Sequence, residues 1–243
     1  TSLQKDIDSI VTGIEALPIK ESEDIANPIK TSIKPISQET SNLRFVFPTL
    51  IAMVVMLVSL LLSSTIVIRE KKSRAYFRNF ITPTNNFTFI IGTFITCLFI
   101  LIIQLIVIFV EMYFTSPAQI LAMLNPSLLF IIFLIAMVFI LIGMLIGYAF
   151  QTEETSTLAT FSIATIFLFL SNTILPIESI PVQIRWIALF NPFVITDTIL
   201  KKMILFDFGL LQVLTEIYVL IAYAALFWSL VYLARLINKR RLA

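Results

Sequence analysis

The chain has 243 residues, of which 58% are hydrophobic and 13% charged, with a mean hydropathy of +0.98 and a formal net charge of +2. A soluble domain carries about 25% charged residues, so this composition excludes an ordinary water-soluble fold and points to lipid. A single cysteine, Cys97, excludes an intrachain disulfide and a cysteine metal cluster, and the absence of histidine removes most zinc chemistry.

The first 44 residues read differently from the rest. Leu3, Ile7, Ile10, Val11, Ile14 and Leu17 recur at helical spacing, and Pro18, Pro28 and Pro35 then break the chain into short pieces. This region is expected to be the C-terminal end of an extracellular domain. The high Pro, Ser, Lys and Glu content of residues 18–44 is also compatible with a disordered tail.

Crossing a hydrocarbon core of about 30 Å takes roughly 20 apolar residues in a helix. Five runs qualify, at 45–68, 87–110, 128–150, 156–175 and 210–234. The fold class is therefore all-α, a polytopic helical membrane protein. The fourth run is rich in Ser and Thr, whose hydroxyls can return to backbone carbonyls within a helix.

Lys and Arg in short flanks are retained on the cytoplasmic side. Arg69, Lys71, Lys72, Arg74 and Arg78 follow the first run, and Arg235, Lys239, Arg240 and Arg241 follow the last. Both clusters are expected inside and residues 1–44 outside, in a multi-pass protein of the plasma membrane. Gln151-Thr152-Glu153-Glu154-Thr155 dissents, since alternation puts it inside while it carries two acids and no base.

Few residues could carry chemistry. There is no P-loop, dinucleotide-binding glycine turn or serine elbow, so the sequence contains no usual means of holding ATP. The middles of the five runs are free of charge, which argues against an ion-coupled carrier. Gln104 and Asn172 are the deepest amides, suited to bonding a neighbouring helix. Glu216 either sits at the outer interface or lines a polar cavity. Gly143 and Gly147 form a G-x-x-x-G spacing that brings helix backbones together, within the chain or across a dimer seam.

The segment at 69–83 combines Arg74 and Arg78, four residues apart, with Tyr76, Phe77 and Phe80, making a short amphipathic helix at the inner interface that Thr82 and Pro83 stop. Such a segment can anchor the protein or serve as a docking element. On the other side, Pro176 and Pro181 interrupt the chain, and a short helix over 182–189 follows. Asn191-Pro192 then starts another over 193–206, because Asn caps a helix and Pro fits its first turn. Both pieces are too short to cross, and their apolar character suits a re-entrant extracellular hairpin before the last span.

The order of these parts resembles the ABC-2 type permeases, the membrane subunits of ATP-binding-cassette exporters. Residues 68–83 resemble the family's "RE…GT…L…L..TP" cytoplasmic loop through Arg69, Glu70, Phe77, Phe80, Thr82 and Pro83. Residues 171–181 with 189–192 resemble its "LSG…P…P…LNP" segment through Pro176, Pro181, Asn191 and Pro192. Lys72-Ser73-Arg74 replaces the usual Gly-Thr, and Asn172 stands where Gly is common. The resemblance covers residues 45–240.

It implies a permease that exports a hydrophobic or amphiphilic substrate. A separate ATPase subunit would carry ATP and magnesium, and this chain would hold no cofactor and no catalytic residue. Arg69, Glu70, Arg74, Phe77, Arg78, Phe80, Thr82 and Pro83 would couple to that subunit. Asn172, Pro176, Pro181, Asn191 and Pro192 would belong to an outer gate. A homodimer or heterodimer of permeases in the bilayer is implied, with no nucleic acid partner. Because members have six spans, the missing one is expected upstream of Thr1. The competing reading is a membrane-anchored surface or receptor protein whose extracellular domain carries the function.

Overall fold

The structure is a computed structural model that describes residues 42–73, 86–115, 125–171, 188 and 190–242, all within the unit Ser41–Ala243. The expected extracellular segment at 1–44 falls almost wholly outside these residues. The described elements are α1 (Asn42–Lys72), α2 (Asn86–Thr115), α3 (Pro126–Ala149), α4 (Glu153–Phe169), α5 (Pro192–Leu205), a 3-10 turn (Leu210–Gln212) and α6 (Leu214–Leu242). There is no strand among them, so the chain is a polytopic helical protein.

Four of these helices, α1, α2, α3 and α6, are long and apolar enough to cross a membrane. The fourth expected span, 156–175, takes a different form. Its helix α4 begins at Glu153, is capped at Leu170, and has 17 residues, a length of about 25 Å. Its early start has a local cause. The Thr152 side chain accepts a bond from the Thr155 backbone N–H at 3.2 Å, and Glu153 and Glu154 occupy the first turn, where carboxylates suit the positive end of the helix dipole. The acids that dissent from the charge rule are thus helix-start residues.

The last expected span, 210–234, is displaced the other way. Leu210–Gln212 form a 3-10 turn, and α6 starts at Leu214 and runs on to Leu242. Between α5 and this turn, Asp207 adopts a φ of 53°, a left-handed conformation that Asp tolerates better than most residues.

The helix α3 is the centre of the bundle. It packs against α1 most extensively, then against α6, and its buried residues occupy nearly every turn from Leu128 to Tyr148. Asn125 starts it by accepting a bond from Ser127 N–H at 3.1 Å, with Pro126 in the first turn. By contrast α2 lies at the periphery and exposes Ile95, Phe99, Ile102, Ile106 and Val110 along one face. That apolar face is the surface expected against lipid. Trp228 of α6 joins the two outer helices, edge-on to Phe87 and Phe94 of α2 with ring centroids 5.6 and 6.1 Å apart.

Gly143 and Gly147 face α1. A Cβ on Gly143 would overlap Ser63 Oγ and lie 2.6 Å from Leu60 O, and one on Gly147 would lie 2.7 Å from both Ser64 O and Val67 Cβ. The two backbones therefore approach within a distance that only glycine permits, and here the partner is α1 of the same chain. Small residues meet them from the other side. Ser59, Ser63 and Ser64 of α1 are fully buried, and Thr160 of α4 donates to Ser156 O at 2.8 Å with its Oγ1 3.2 Å from Ser64 Oγ.

Candidate functional site

Two clusters of polar residues stand out, one at each end of the bundle. The first is built on the last turn of α1, where the hydropathy pattern alone predicts the start of a loop. The helix in fact continues through Lys72, so Arg69 and Glu70 are helical. Residues one apart on a helix point about 100° away from each other, so three in succession can reach three neighbours.

Arg69, Glu70 and Lys71 do so. Arg69 Nε stands 3.6 Å from Glu153 Oε1 at the start of α4, in a largely exposed pair that contributes little energy. Glu70 Oε2 accepts a bond from Thr93 Oγ1 of α2 at 2.8 Å. Lys71 Nζ donates to the carbonyls of Gly147, Tyr148 and Phe150 at 3.2, 3.2 and 2.6 Å. The C-terminal carbonyls of a helix lack intrahelical donors, and α3 has no basic residue in its own last turn. Lys71 supplies both the donors and a positive charge at the negative end of the dipole.

From the other side α6 reaches the same end of α3. Asn238 Nδ2 donates to Tyr148 O at 3.0 Å. Arg235, only 2% exposed, lies over the Phe89 ring at 4.6 Å and donates from Nη1 to Tyr148 Oη at 3.3 Å. Charge counting groups Arg235 with the tail after the last span; it is instead a buried residue of α6.

A groove of about 550 Å³ opens beside this turn, between α1 and α2, with Arg69, Glu70, Ser73, Phe89 and Thr93 in its wall. Arg74, Phe77, Arg78, Phe80, Thr82 and Pro83, the rest of the expected coupling element, lie outside the described residues.

The second cluster surrounds α5 at the opposite end. Asn191 joins two helix termini. Its Oδ1 accepts from the Phe193 N–H at 2.9 Å and caps α5, while its Nδ2 donates to Phe167 O at 2.6 Å at the end of α4. Pro192 fills the first position of α5, as the dipeptide predicts. Asn172, Pro176 and Pro181 lie outside the described residues, as does the expected helix at 182–189 apart from Ala188. Tyr223 of α6 donates to Phe190 O at 2.5 Å and holds the turn before α5.

Further along α5, Asp197 is buried and accepts from Thr49 Oγ1 of α1 at 2.6 Å, while its other oxygen meets Lys201 Nζ at 2.6 Å. Lys202, the next residue, pairs with Glu216 of α6. Glu216 thus sits in the first turn of α6, fastened to the short helix. Nothing in the sequence marks Asp197 beyond its place four residues before Lys201. Gln104 is half-buried on α2.

The long apolar helices define a multi-pass membrane protein. The chain belongs to the ABC-2 transporter family: the family described as ABC-2 family transporter protein matches residues 1–233. The match includes the segment ahead of α1. No curated protein and no solved structure matches the chain significantly.

Proposed function

We propose that this chain is the permease subunit of an ATP-driven exporter, powered by a separate ATP-binding-cassette ATPase that docks on residues 69–83. The observation that carries this reading is the family match over residues 1–233, taken with a sequence that contains no P-loop. ATP and magnesium belong on the partner, and this chain supplies the path.

The Arg69 end faces the cytoplasm and the α5 end faces outward, in keeping with the clusters of Lys and Arg after α1 and within the end of α6. The protein resides in the plasma membrane and pairs with a second permease, identical or related. Its substrate is hydrophobic or amphiphilic, in keeping with helices whose buried polar groups are chiefly Ser and Thr. Closure of the ATPase displaces the segment after α1 and rocks the bundle, while the region around Asn191 gates the outer end.

Replacing Phe77, Phe80 and Arg78 together tests the docking assignment. The expected result is loss of the ATPase on purification or loss of transport-linked ATP turnover. Unchanged coupling removes the assignment.

A further inference from the structure

We propose that the last turn of α1 is a three-way yoke, in which Lys71 is the positioning residue that passes displacement of the following segment to α3 and through it to α6. This rests on the function proposed above, since it names the route by which an ATPase at residues 69–83 would act on the bundle.

The attachments of this turn differ in strength. Three consecutive residues tie α1 to three helices, but the ties differ in kind. The pair of Arg69 with Glu153 is long at 3.6 Å, and the Arg69 side chain is 71% exposed. The Glu70 to Thr93 contact is a single bond. Lys71 directs bonds to three carbonyls, so the donor capacity of its ammonium is fully used on one helix end. These bonds are charge-assisted and aligned with the dipole of α3. A pull on α1 is therefore carried first to α3.

The packing makes that link stiff. Gly147 lies against Ser64 and Val67 of α1 only one turn from Lys71, and Gly143 lies against Leu60 and Ser63. Sliding α1 past α3 would break the Lys71 bonds and drive these backbones together at once. The two helices consequently move as one body near this end. From α3 the route continues to α6, because Asn238 bonds the same Tyr148 carbonyl that Lys71 bonds, and Arg235 bonds the Tyr148 hydroxyl. A cation on one helix that serves the carbonyls of another is more than a local cap. It makes the end of α1 carry the end of α3 with it.

The test uses the complex purified through a tag on this chain and reconstituted in nanodiscs, with unsubstituted chain, Lys71→Met and Lys71→Arg compared. ATP turnover is measured alongside hydrogen exchange at both ends of α3, with and without vanadate-trapped nucleotide. Met keeps most of the unbranched side chain without its donors, and Arg restores charge and donors. The expected result is that Lys71→Met loses the nucleotide-dependent change at the Asn125 end of α3, and that Lys71→Arg recovers it. A Lys71→Met chain that keeps the full change overturns the proposal, as does a Lys71→Arg chain that behaves like Lys71→Met. If the unsubstituted complex shows no response to ATP, the function proposed above falls and takes the yoke with it. The two failures are distinct, because only the latter abolishes the response of the unsubstituted chain.

Discussion

Substituting Gly143 by Ala should destabilise the bundle far more than the addition of one methyl group suggests. The new Cβ would lie 2.6 Å from Leu60 O and 2.9 Å from Leu60 Cα, besides overlapping Ser63 Oγ. Two of these three atoms are backbone, so no rotamer change relieves them. The helices must separate by roughly 0.5–1 Å to restore ordinary contact, and a gap of that size forfeits about a quarter to a half of the dispersion energy across it. For overpacking of this kind the cost is about 2–3 kcal/mol, which lowers the folding equilibrium constant roughly 30- to 150-fold. Gly92 provides the control. It lies within α2, where an added methyl would meet nothing within 4 Å, so the same change should stabilise by about 0.5–1 kcal/mol through the lower entropy of the unfolded chain. Reversible unfolding of the purified chain in mixed micelles, followed by helical circular dichroism, reads both. Equal stability of Gly143→Ala and unsubstituted protein would refute the close approach of α1 and α3. Adding Ser63→Ala should rescue only part of the loss, because the Leu60 contacts remain.

The α5 end yields further expectations. Asn191→Ala removes the cap of α5 and the donor to Phe167 O together, at a cost of about 2 kcal/mol in the same unfolding assay, and Asn191→Asp should recover only the cap. Asp197→Ala strands Thr49 and Lys201; since Lys201 is one-third exposed and can turn to water, the loss should be about 2 kcal/mol rather than that of a fully buried pair. Exchanging charges in Lys202→Glu with Glu216→Lys should restore thermal stability lost in either single variant, with a coupling of about 0.5–1 kcal/mol that shrinks in high salt. Failure of the double variant to recover would separate α5 from α6.

Hydropathy makes the four long helices legible, because lipid forces every backbone group to be satisfied within the helix. The dipeptide Asn191-Pro192 also announces its own structure, since capping is a local effect. The limits of α4 and α6 are less visible. The apolar run that begins after Thr155 hides a cap three residues earlier, and the run from Leu210 hides a 3-10 turn. Lys71 cannot be understood from its neighbours. Its partners lie 76 to 79 residues away, and a basic residue beside an apolar run looks the same whether it meets water or a helix end. Arg235 escapes for a related reason: charge counting ends the span at Ala234, whereas the helix continues and turns that guanidinium into the bundle. Asp197 sits between Thr196 and Thr198, ahead of a pair of lysines, and its part-buried contact with Thr49 spans 148 positions.

The claim on which the account depends is that a separate ATPase sits on the segment following α1. A photo-crosslinking residue placed at Phe77 or Phe80 in the full chain, irradiated in native membranes, tests it directly. Mass spectrometry should identify a protein carrying a P-loop in the captured band, with capture abolished by Arg78→Glu. Crosslinks to lipid alone, with no P-loop protein from either position, would contradict the account and leave the segment as a membrane anchor.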